Sequence, residues 1–157
     1  MSSPTIEIRR ATRDDLDDIL PLMAAFNANE DIVWRPESMV PALRRLLGES
    51  SLGMSLVAHD RATGEIAGYG LATFGYDVEF AGPDAFITEL FVDEAFRRLG
   101  VGQDLLDALI DQLTERGTHA VHLMVRPENE RARALYQGRG FKDIPRLLMT
   151  KSLGNRE

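Results

Sequence analysis

Apolar and polar side chains alternate in "TIEIRRA", residues 5–11, and a period of two predicts a strand with one buried face. The period changes in "TRDDLDDILPLMAAF". Leu16, Ile19, Leu20 and Met23 fall on one helical face, Thr12 suits an N-cap, and Asp14 and Asp15 suit the positive end of the helix dipole. Pro21 has no N–H to give, so a kink or interruption is expected there. "NANEDIVWRP" reads as a loop and "PESMVPALRRLLGES" as a second helix ending near Gly48. "GMSLVAHD" and "GEIAGYGLATFGY" predict two strands, joined like a hairpin by the polar turn "DRATGE". A loop, "DVEFAGPD", leads into the strongly β-prone "AFITELFV".

After "FRRLGVGQ", Leu105, Leu106, Leu109, Ile110 and Leu113 have helical spacing, and Gly117 can end that helix. "HAVHLMV" is apolar almost throughout, as in a strand covered on both faces. "NERARALYQGRG" predicts a short helix stopped by glycines, and "FKDIPRLLMTKSL" one or two closing strands. The predicted order β-α-α-β-β-β-α-β-α-β is a mixed sheet with helices rather than a regular βαβ alternation. Without repeats or low-complexity segments, a single domain over residues 1–157 is expected.

Composition narrows the chemistry. Cysteine is absent, which excludes disulfides, thiolate metal sites and a cysteine nucleophile. A net charge of -7 disfavours nucleic acid as a partner and suits a cationic small substrate, although solubility alone also accounts for it. No apolar run is long enough to span a bilayer, and "MSSPTIEIRR" lacks the pattern of a signal peptide, so a cytoplasmic protein without membrane association is the expectation. His59, His119 and His122 show no metal-ligand spacing, and no metal is expected.

The segment "FRRLGVGQDLL" carries the chemistry. Glycines between a strand and a helix let the backbone turn tightly and expose N–H groups, which with the helix N-terminus form an anion cradle; Arg97 and Arg98 add charge. A nucleotide P-loop needs Gly-Lys-Ser/Thr, but Gln103 and Asp104 follow Gly102. A dinucleotide fingerprint needs a third glycine where Leu105 stands. What remains is Arg97-x-x-Gly100-x-Gly102 behind a strand ending in Val92, with Asn129, Leu135, Tyr136, Gly140 and Phe141 downstream in "NERARALYQGRGF".

In these residues, their spacing and the order of elements, the chain resembles the GNAT superfamily of acetyl-CoA dependent N-acetyltransferases. The resemblance implies an α+β fold with a mixed, mostly antiparallel sheet of six to seven strands flanked by about four helices. It implies acetyl-CoA as co-substrate, its pyrophosphate held by backbone N–H groups of Arg97, Arg98, Leu99, Gly100, Val101, Gly102 and Gln103. The pantetheine arm would lie along Leu90, Phe91 and Val92, and Asn129 would touch the coenzyme or cap its helix. Tyr136 is implied as general acid toward the thiolate; a phenol of ordinary pKa near 10 holds its proton at neutral pH. Glu89 is the candidate base, although strand alternation sets Glu89 and Phe91 opposite Leu90 and Val92 unless a bulge intervenes. Without a cysteine, direct attack of the amine on the thioester is expected. Trp34, Tyr76, Asp77 and Glu79 are the candidate acceptor contacts, for a small cationic primary amine. Acetylation of a protein N-terminus or lysine, or a non-catalytic acyl-CoA sensor, are the alternatives. Relatives are often homodimers, so the resemblance extends to a dimer.

Overall fold

The computed structural model describes residues 5–154, so the first four residues of "MSSPTIEIRR" lie outside it. The chain falls into two compact units, Met1–Met124 and Val125–Glu157.

The first unit holds a five-stranded sheet in the order β1-β2-β3-β4-β5. Its strands are β1 (Ile6–Arg10), β2 (Gly53–Asp60), β3 (Ile66–Asp77), β4 (Gly82–Val92) and β5 (Ala120–Leu123). The first four pair antiparallel and β5 joins β4 in parallel. Helices α1 (Leu16–Asn29) and α2 (Pro36–Gly48) follow β1, and α3 (Val101–Glu115) links β4 to β5.

The two faces of the sheet pack differently. Ile19, Leu22 and Met23 of α1 and Leu43 of α2 form one core with Val57, Tyr69, Leu71 and Phe91. On the other face, Leu105, Leu106, Leu109 and Leu113 of α3 are fully buried. Gly70 allows that approach, because a Cβ there would lie 2.6 Å from Leu109 Cδ1.

The start of α1 follows its capping signals. Thr12 accepts from Asp14 N–H (3.3 Å), and Thr12 N–H donates to Asp15 Oδ2 (2.8 Å), which is a reciprocal capping box ahead of a short 3-10 turn. Arg9 closes on the same carboxylate with two hydrogen bonds of 2.8 and 2.9 Å. That contact, outweighing the cost of burial, holds the Asp15 carboxyl below its ordinary range. Helix α1 runs through Pro21 without the interruption that was one of the two expected outcomes there, and continues to Asn29 instead of giving way to a loop after Phe26. Buried Ile19, Leu22 and Met23 flank the proline, so packing outweighs the one lost bond. β5 also departs from expectation, being four residues long and half-buried rather than covered on both faces.

The second unit holds α4 (Glu130–Gly138). The expected closing strands in "FKDIPRLLMTKSL" do not form: residues 142–153 carry no strand, so the described sheet has five strands rather than six or seven. The segment lacks steady alternation, and Pro145 removes a ladder donor from its middle. The four helices match the expected number. No helix among the described residues is long and apolar enough to cross a membrane.

Candidate active site

The anion cradle is built from backbone. β4 ends at Val92, Asp93 accepts from Ala95 N–H (3.1 Å) to start a short 3-10 turn, and buried Phe96 anchors the segment. The chain then passes through two left-handed residues, Arg98 (φ 66°) and Gly100 (φ 79°). Gly100 is the N-cap of α3 and has no side chain to give a cap hydrogen bond. An uncapped helix start presents its N–H groups and the positive end of its dipole to an anion. Arg97 is exposed but folds back on the strand end, its Nε donating to Val92 O (3.1 Å) and its guanidinium lying 5.5 Å from the Phe91 ring centre. It ties the loop to the strand end.

β4 has an open edge beside this loop. Pairing with β5 ends at Ile87↔Leu123, and no β5 residue pairs with Thr88–Val92. On the other side, Asp93 N–H donates to Ala67 O (2.8 Å). Antiparallel alternation then directs the backbone of Phe91 and Glu89 to β3, and that of Leu90 and Val92 to the open edge. Val92 O is occupied by Arg97. Of the three residues expected along a pantetheine arm, Leu90 and Val92 thus offer backbone groups, while Phe91 spends its own inside the sheet.

A bulge lies just before Glu89 on β4. The register steps from Leu71↔Glu89 to Ala72↔Ile87, which leaves Thr88 as the extra residue. Ile87 and Glu89, two apart, therefore point to opposite faces. Glu89 and Phe91 share the α1/α2 face, opposite Leu90 and Val92, so the alternation expected from sequence holds downstream of the bulge. There Glu89 enters a cleft of about 180 Å³ lined by Met23 and Asn27 of α1, Met39, Leu43 and Leu46 of α2, and Leu71 of β3. Asn27 Nδ2 is turned to its own helix, donating to Met23 O at 2.8 Å. The buried Tyr69 hydroxyl donates to Glu89 Oε1 at 2.6 Å. Burial pushes the Glu89 carboxyl above its ordinary range, and the Tyr69 hydrogen bond opposes that rise. The Tyr69 phenol is raised in turn, by burial first and then by the neighbouring carboxylate.

The expected acceptor residues are not gathered at this cleft. Trp34 packs against the α1/α2 core. Tyr76 is exposed, and Asp77 Oδ1 accepts from Glu79 N–H (2.8 Å) within the β3–β4 turn. Asp77 lies six residues along β3 from Leu71, a distance of about 20 Å at ordinary strand rise. Residues that sequence reasoning missed take their place: Tyr69 beside Glu89, and the Met and Leu side chains of α1 and α2. Tyr69 had one available signal, since it lies two residues from Leu71 on a strand. A second grouping also escaped notice because it comes from three strands. His122 Nε2 lies 3.2 Å from Asp84 Oδ2, and Asp77 joins them with all three ligand atoms within 4.8 Å of one another.

In the second unit, Asn129 caps α4, its Oδ1 accepting from Ala132 N–H (3.2 Å). The glycine-rich end forms a Schellman motif. Phe141 N–H donates to Tyr136 O (3.1 Å), Gly140 N–H donates to Gln137 O (3.1 Å), and Gly140 takes the required positive φ of 88°. The Phe141 ring meets the Tyr136 ring edge-on at 6.0 Å. "LYQGRGF" is therefore a device that stops the helix and fixes Tyr136 by an aromatic contact.

The described residues thus form an α+β fold, a mixed five-stranded sheet with four α-helices. The aminoglycoside N-acetyltransferase AAC(6′)-Iy, solved in complex with CoA, superposes with a TM-score of 0.79 over 96% of this chain and 97% of its own, at 20% identity. Residues 19–141 match the acetyltransferase (GNAT) family, and the chain belongs to that family. It is similar to the ribosomal protein bS18-alanine N-acetyltransferase of Salmonella typhimurium, with 35% identity over 96 residues, 61% of this chain and 58% of the relative. It thus spans just over half the length of that relative. An uncharacterized N-acetyltransferase of Archaeoglobus fulgidus is 29% identical over 140 residues, 87% of this chain and 93% of its own.

Proposed function

We propose that the chain transfers an acetyl group from acetyl-CoA directly to a primary amine, with Glu89 as the base. The observation that carries this reading is the raised Glu89 carboxyl in the apolar α1/α2 cleft, on the same strand as the open backbone edge of Leu90 and Val92. The residues fit the coenzyme. The uncapped start of α3 and the loop from Arg97 to Gln103 suit a pyrophosphate, and the β4 edge suits the amide groups of a pantetheine arm.

Glu89 takes a proton from the bound ammonium, and the neutral amine so formed attacks the thioester carbon to make the new C–N bond. The second N–H proton passes to solvent, from which Tyr136 is reprotonated. An N–H on the open edge, from Leu90 or Val92, meets the negative charge developing on the thioester oxygen. The C–S bond then breaks, and the departing sulfur takes a proton from Tyr136, whose role rests on the motif around it. The products are an N-acetylated amine and free CoA. A cleft of this size with one acid suits an ammonium attached to a small apolar body. No step calls for a metal.

A second reading, acetylation of a protein N-terminus, is favoured by the 35% identity to a ribosomal-protein alanine N-acetyltransferase. A thiol-release assay with acetyl-CoA tests both, using small monoamines, polyamines and peptides with free N-termini. Amine-dependent CoA release supports transfer, and the best acceptor separates the two readings. Coenzyme binding without turnover on any amine would instead mark a sensor.

A further inference from the structure

We infer that Tyr69 is a positioning residue for the acetyl-transfer base: its hydroxyl fixes the Glu89 carboxylate by one oxygen so that the other meets the acceptor amine. This rests on the reading of Glu89 as the base. Tyr69 is fully buried, and its ring belongs to the core between the sheet and α1/α2, so the hydroxyl has little freedom to leave the carboxylate. Register explains the pairing. Tyr69 stands opposite Phe91 and Leu71 opposite Glu89 in unbroken register, so alternation puts Glu89 on the same face as Tyr69. Tyr69 is thereby diagonal to Glu89 across the ladder, within reach of a long side chain. The contact, 2.6 Å, is a short hydrogen bond to a carboxylate.

The surroundings make this bond consequential. α1 presents Met23 and Asn27 to the cleft, α2 presents Met39, Leu43 and Leu46, and β3 presents Leu71. None of these side chains titrates or carries a charge, so Tyr69 is the group that helps Glu89 to ionise against burial. It engages Oε1, which leaves Oε2 for the amine. A buried carboxylate without this donor would hold its proton to higher pH and could rotate away from the attack line.

The test is the pH profile of kcat/KM for the full chain and for Tyr69→Phe, Glu89→Gln and the double variant, with the best amine from the acceptor panel. Tyr69→Phe keeps the ring and removes the donor. Its acid limb is expected to move up by about one pH unit, while the high-pH plateau falls no more than about threefold. Adding Tyr69→Phe to Glu89→Gln should move nothing further. A uniform loss at every pH, with the limb in place, would overturn the inference and leave Tyr69 as a core residue. A wild-type limb in Glu89→Gln would instead remove the base reading and this inference with it. Should Tyr69→Phe fold poorly, 3-fluorotyrosine placed at residue 69 serves as the second probe. Its stronger hydroxyl donor should move the limb to lower pH, and an unmoved limb would again overturn the inference.

Discussion

The loop proposed for the coenzyme and the cleft proposed for the acceptor lie in one unit but are built in opposite ways. The loop from Arg97 to Gln103 consists of consecutive residues and is shaped by backbone: a left-handed Gly100, a helix start without a side-chain cap, and an exposed arginine tied back to Val92 O. The cleft is made of side chains drawn from α1, α2, β3 and β4, which meet only when the chain has folded. A site built from local backbone geometry leaves a motif in the sequence. A site assembled across the fold leaves scattered Met, Leu and Tyr residues that any core would contain.

The largest effect should come from the cleft. Glu89→Gln is expected to lower kcat by about 10²–10³-fold, in the range of a lost general base. The same change should not weaken the fold. Because the Glu89 carboxyl is raised, the native state holds its proton more tightly than the unfolded chain, so its ionisation costs stability as pH rises through that window. Glu89→Gln keeps an acceptor for Tyr69 and removes the charge. Its Tm near neutral pH should equal or exceed that of wild type, with a flatter pH dependence by calorimetry. A lowered Tm would mean that the activity loss reflects packing.

Next is Tyr136→Phe, expected to cut kcat by about 10–100-fold with little change in acetyl-CoA affinity. The Schellman motif and the Phe141 contact survive this change, so unaltered turnover would remove Tyr136 as the acid.

The loop gives a sharper contrast. Gly100→Val forces a β-branched residue to a φ of 79° and should weaken acetyl-CoA binding by about tenfold or more in calorimetric titration. Arg98→Ala should change it by no more than about threefold. Gly102→Ala should also be milder than Gly100→Val, because a Cβ there meets Val92 Cγ2 at an ordinary 3.6 Å. The reverse order would mean that the loop acts through side-chain charge.

The smallest effect on chemistry should come from Asp15→Asn, at the base of the helix that supplies Met23 and Asn27. It should cost on the order of 2 kcal/mol of stability, discounted for the part-exposed Arg9, with acetyl-CoA affinity kept. The Asp15 carboxyl is depressed in the fold, so its contribution is present above the unfolded pKa and lost as pH falls through the folded one. Wild type and Asp15→Asn should therefore converge in Tm at low pH.

How much was legible follows the same division. Element order through α4 could be read from periodicity and caps, and Thr12, Gly100 and Gly140 each occupy the conformation their residue type suggests. The closing strands could not, since a strand exists only with a partner, and residues 142–153 have an apolar composition without one. Pro21 did not interrupt α1 for the converse reason: a local rule yielded to burial on both sides of it. At the site, Glu89 could be named from its strand and its face relative to Phe91, Leu90 and Val92 followed from alternation, while the residues that surround it there could not be read. Trp34, Tyr76, Asp77 and Glu79 were chosen by chemistry, and they do not stand around Glu89. The last three sit at the β3–β4 turn, and Trp34 supports the core.

The most direct test of the central claim is the pH dependence of kcat/KM for wild type and Glu89→Gln with the same amine. Wild type should rise along an acid limb set above the ordinary carboxylate range, as a buried base requires. Glu89→Gln should lack that limb and approach wild type only where the amine is deprotonated by solvent. Superimposable profiles would show that Glu89 takes no proton, and the account of the cleft would be wrong.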